Sequence, residues 1–100
     1  VWFWFEVETS QVVDDFSPVD GGANRACRGA NKNDNAASYY RINLGVQSIE
    51  DCKNLCRQEQ ACTGIEYNPN GRCEIWTRQE GIGASSETAG YTCLRKSAMP

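Results

Sequence analysis

Ser48-Ile49-Glu50-Asp51-Cys52-Lys53-Asn54-Leu55-Cys56 is the stretch that decides the fold. Ser48 is a helix cap, and Asp51, at the third helical position, can reach back to the Ser48 amide in a short version of a capping box. Glu50 and Asp51 put negative charge at the positive end of the helix dipole. The pattern predicts a helix over 49–60. Ile49, Cys52, Leu55, Cys56 and Glu59 recur at spacings of three and four, so one face carries both cysteines. That face must look at a sheet.

Downstream, 62–68 reads as a strand with Ile65 and Tyr67 on one side. Asn68-Pro69-Asn70-Gly71 is a hairpin turn. The return strand, 72–77, alternates Cys73 and Ile75 against Arg72, Glu74 and Trp76. Residues 38–44, with Tyr39, Tyr40, Ile42 and Leu44, and residues 91–95, around Cys93, predict two more strands. Asp20-Gly21-Gly22 reads as a turn, 24–37 as a loop holding Cys27, and 81–90 as a loose loop of Gly, Ala and Ser. The expected fold class is α+β: a small antiparallel sheet cradling one α-helix.

Six cysteines and no histidine occur in 100 residues. An even count at this density predicts three disulfides and an oxidising compartment. Staples suit a chain whose single core supplies only modest stability. Zinc is disfavoured, because Cys52, Cys56 and Cys62 lack paired knuckle spacing and no histidine is present. Without histidine, Ser-His-Asp and Cys-His catalysis cannot be built. Glu66 and Glu74 lie on facing strands of the expected hairpin, but one small domain offers little cleft for acid catalysis, and solvated strand faces account for them. Asn31-Lys32-Asn33-Asp34-Asn35 resembles the start of a calcium loop, yet Ala36 and Ile42 stand where Gly and Glu are required. The expectation is no metal, no cofactor and no catalytic residue.

A net charge of −3 argues against nucleic acid. Residues 1–20 hold Glu6, Glu8, Asp14, Asp15 and Asp20 with no Lys or Arg, which leaves the remainder at about +2. No apolar run is long enough for a transmembrane helix. Val1-Trp2-Phe3-Trp4-Phe5 reads either as an edge strand or docking segment, or as a membrane-proximal or partner-inserted anchor.

The helix with two cysteines, then Cys62-Thr63-Gly64-Ile65-Glu66-Tyr67, then Arg72-Cys73-Glu74-Ile75-Trp76, resembles the PAN/apple domain family. The resemblance covers about 20–96, with 1–19 as an apolar and acidic arm and 97–100 as a tail. It implies that Cys27 pairs with Cys93, Cys52 with Cys73 and Cys56 with Cys62. It also implies an extracellular, non-catalytic module that binds proteins or carbohydrates. The Asn- and Gly-rich flavour is similar to versions from unicellular algae and related protists, where an oxidising thylakoid lumen is an alternative location.

Two functions follow as expectations. In one, the chain is an interaction module or accessory subunit, docked on a protein partner such as a membrane complex through Trp2, Phe3, Trp4 and Phe5. In the other it is lectin-like, with Trp76 as an exposed platform flanked by Arg72 and Arg78 for a sugar or for a partner's carboxylates. The bland reading of Trp76 is a second small core.

Overall fold

The structure, a computed structural model, describes residues 14–97. Among them, β1 (Phe16–Arg28), β2 (Tyr40–Asn43), β3 (Gly64–Asn68), β4 (Arg72–Trp76) and β5 (Ala84–Lys96) form one antiparallel sheet in the order β1-β5-β3-β4-β2. One helix, α1 (Ile49–Gln58), lies on one face against β3 and β4. The α+β architecture expected from the sequence is the one observed.

The helix begins as its cap requires: the Asp51 amide donates to Ser48 Oγ at 3.0 Å. It stops at Gln58, where the Glu59 amide donates to the Cys56 carbonyl. The Cys62 amide then donates to the Glu59 carbonyl at 2.9 Å, which turns the chain so that Cys62 meets Cys56. Cys52 bonds Cys73 on β4, so both helix cysteines are committed to the sheet side. Cys27–Cys93 is the third bond, and no described cysteine is free. Between helix and sheet lie Phe16, Val46, Ile65, Tyr67 and Ile75, all buried, with half-buried Ile49, Leu55 and Leu94 around them. Each large apolar side chain buried there contributes roughly 1.5–3 kcal/mol.

Three local expectations are corrected. The turn at Asp20-Gly21-Gly22, the first five residues of the loop 24–37 and most of the loop 81–90 belong to the two longest strands, β1 and β5. The Gly and Asn residues there make bulges within a ladder. Between Pro18↔Leu94 and Ala23↔Thr92 the extra residues are in β1; between Ala23↔Thr92 and Arg25↔Glu87 they are in β5. Asp20, Gly21, Gly22 and Asn24 all take positive φ, the conformation that Gly, Asn and Asp tolerate best. The two irregularities bend the ribbon. Its far half, which carries Cys27, folds over the sheet face opposite the helix, and there Cys93 ties it down.

A second core forms under that fold: Val19, Cys27, Trp76, Ile82 and Cys93, with Tyr39 and Tyr40 packed against it. Gly64 permits the closure, because a Cβ there would run into the Leu94 carbonyl and the Ile82 side chain. The sheet also begins earlier than the domain limit expected at residue 20. Phe16 is buried, with the Lys53 and Arg57 charges over its ring, and Arg57 bonds Asp15 at 2.7 Å. The expectations for Trp2, Phe3, Trp4 and Phe5 lie outside the described residues.

Two measurements test this account. In urea titrations, Gly64→Ala costs about 1–3 kcal/mol through overpacking. Replacing Cys27 and Cys93 together by Ala costs about 4 kcal/mol, against about 2 kcal/mol for Cys56 and Cys62, because the loops closed span 66 and 6 residues.

Candidate functional site

Trp76 is fully buried, which overturns its reading as an exposed platform. β4 places it on the face away from the helix, as its alternation requires, but that face is covered. Tyr40 stacks on it at 5.2 Å between ring centroids, and Tyr39 tilts against it at 5.8 Å. Its indole N–H donates to Glu74 Oε1 at 3.0 Å. Arg72 does not stand ready for a ligand either: its Nη2 donates to Glu74 Oε2 at 2.6 Å and its Nε to the same oxygen at 3.2 Å. Arg78 lies over the Tyr39 ring at 5.2 Å and donates to the Gly81 carbonyl. The three residues marked in the sequence do converge, but as supports of one interior cluster.

At its centre sit two carboxyls that sequence reasoning placed in solvent. Glu66 and Glu74 are directly opposed on β3 and β4, and both are buried. Glu74 accepts from Arg72 and Trp76, while Glu66 accepts the Cys27 amide at 2.7 Å. Burial, reinforced by the adjacent Glu74 charge, pushes Glu66 from its ordinary 4.5 up to about 8; the Cys27 amide and the Arg28 charge oppose this without cancelling it. Burial thus biases Glu66 toward its neutral form. Tyr40 is also pushed up, first by burial and then by Glu74. The signal missed in the sequence was position: an acid on a central strand is interior once both faces are covered.

The accessible relief lies elsewhere. A shallow groove of about 490 Å³ runs between α1 and the segment leading into it, lined by Val46, Gln47, Asp51, Asn54, Leu55 and Gln58. A second, of about 340 Å³, adjoins it through Gly45 to Gln47 and reaches Pro69, Asn70 and Gly71. The shared wall is held firmly: Tyr67 Oη donates to the Val46 carbonyl at 2.8 Å, and the Val46 amide donates to the Gly71 carbonyl at 3.0 Å. Away from the grooves' lining, Ile42 and Leu44 are the exposed large hydrophobics among the described residues, 43% and 75% accessible. Amide and carboxylate side chains next to apolar ones can hydrogen-bond a peptide or a polyol. Neither Glu66 nor Glu74 lines these grooves. Asp34 is spent internally on the Ala30 amide and the Tyr39 hydroxyl, which hold its carboxyl below the usual range. No group of three metal-ligating side chains is assembled among the described residues.

The buried acid has a measurable consequence. Its folded-state value lies above the unfolded one, so folding takes up a proton, and stability falls as pH rises from about 4.5 to about 8. Asp15 and Asp34 are shifted down and act only below that window. Thermal melts should give a Tm at pH 5 at least about 5 °C above that at pH 8.5, and Glu66→Gln should flatten the difference.

No curated protein and no solved structure matches the chain. A family model described as PAN domain matches residues 27–96, from the first cysteine to the end of β5. That span contains all three disulfides, the helix and the hairpin, and covers well over half the sequence. On this match, and on the fold that accompanies it, the chain belongs to the PAN domain family.

Proposed function

We propose that this chain is a non-catalytic protein-interaction module, acting as an accessory subunit of a larger assembly outside the cell or in an oxidising lumen. PAN domains in general bind proteins or carbohydrates, and three disulfides fit such a compartment. The observation that carries the choice is the fate of the aromatic residues. Sugar binding by stacking needs an exposed ring, and Trp76, the candidate for that role, is 0% accessible. Phe16, Tyr39, Tyr40, Tyr67 and Tyr91 are likewise buried or half-buried. What the described surface offers is a groove with amide side chains next to apolar Val46 and Leu55, and separately the exposed Ile42 and Leu44, features suited to a peptide surface. On this reading, Trp2, Phe3, Trp4 and Phe5 are a second point of attachment to the assembly, and burial of such rings supplies much of an interface's energy.

Two assays test the reading. A glycan array should give no signal. The native protein should co-fractionate with a stable assembly, and Trp2→Asp with Trp4→Asp should release it without changing its melting temperature. Glycan binding that survives both arm substitutions would replace this function with the lectin one.

A further inference from the structure

We propose that β2 is a self-pairing edge, which joins β2 of a second copy of this chain into one sheet running across a two-fold dimer. β2 ends the strand order, so only β4 pairs with it among the described strands. The Thr77 amide donates to the Tyr39 carbonyl at 2.8 Å, and the ladder continues from Tyr40↔Trp76 to Asn43↔Cys73. Antiparallel bonding alternates, so the main-chain groups of Arg41 and Asn43 turn to β4, while those of Tyr40 and Ile42 turn outward, as would those of Leu44 if the strand is extended by one residue on pairing.

Two of the usual protections of an edge are missing, since β2 contains no Pro and its ladder has no register shift, while two are present, its shortness and the charge of Arg41. Its side chains are sorted. Tyr40 stacks on Trp76 and Ile42 stands opposite Glu74, both on the face away from the helix, while Arg41 pairs with Glu59 at 3.4 Å.

Placing the two-fold axis at Ile42 fixes every other contact. Ile42 then meets Ile42 of the partner subunit, and Tyr40 meets the partner's Leu44. These are the outward-turned residues, so the same register that aligns an apolar stripe also pairs the free amides and carbonyls. Charge agrees with it. Arg41, already neutralised by Glu59, meets the partner's Asn43 and no like charge. A four-residue strand with Leu44 beyond its end buries less than the roughly 800 Å² per partner of a standard interface. The dimer is therefore weak and reversible, and it accounts for the exposure of Ile42 and Leu44 in a single copy.

Sedimentation equilibrium on the full chain, from roughly 10 μM to 1 mM, reads the association. The wild type should pass from monomer to dimer within that range. Ile42→Lys, which sets two ammonium groups face to face, should weaken it at least about tenfold. Asn43→Asp should tighten it by up to about fivefold, by giving Arg41 a carboxylate across the axis, and Asn43→Lys should weaken it. Melting curves confirm that each variant is folded, and if Ile42→Lys does not fold, the two Asn43 variants decide alone. A chain monomeric at 1 mM overturns the proposal. So does a dimer indifferent to positions 42 and 43, or one lost instead on Trp2→Asp with Trp4→Asp, which would assign the contact to the arm.

Discussion

One covalent bond, Cys27–Cys93, decides which groups of this sheet are interior. An antiparallel sheet with a single helix ordinarily leaves its other face in water. Here the ribbon of β1 and β5 folds over that face and is bolted to it, so nearly every residue of β3 and β4 is buried. The covering half of the ribbon has little apolar material of its own; Ala26 and Cys27 are its buried hydrophobic residues on β1. A covalent tie supplies what so small a contact area lacks.

That cover has an electrostatic cost, which the structure meets locally. Closing the second face encloses two carboxyls. One is satisfied by the Arg72 guanidinium and the Trp76 indole, the other by the Cys27 amide and its own retained proton. Leaving either carboxylate unpaired in such a place would be far more expensive than the hydrogen bonds it forms are stabilising. The disulfide and the acids are thus coupled, since the amide that serves Glu66 belongs to the cysteine that ties the ribbon down. With Trp76, Glu66 and Glu74 committed to the interior, the relief left on the described surface is the strand edge, the loop before the helix, and its groove.

Much of this was legible locally. Ser48 announced the helix, and Asn68 to Gly71 announced the hairpin, where the Gly71 amide closes on the Asn68 carbonyl at 2.9 Å. Both are decided by neighbours within a few residues, which is why sequence reasoning reaches them. β1 and β5 were not legible in full. Their glycines and asparagines carry the same signal whether they turn a loop or bulge a strand, and the partner that distinguishes the two lies some 70 residues away in the chain. Trp76 was placed on the correct side of its strand, but whether that side was wet depended on a segment read as a loop.

The chain alone determined its count of six cysteines, its helix and its hairpin, because these follow from residue identity and short-range geometry, whereas the pairing of the cysteines came only with the family resemblance. Only the tertiary structure decided that Trp76, Arg72 and two glutamates form an interior cluster, and that Ile42 and Leu44 remain on an open edge. Burial is a property of what folds on top of a residue, and here the covering strand is placed by bulges and one distant sulfur–sulfur bond, neither of which has a local signature.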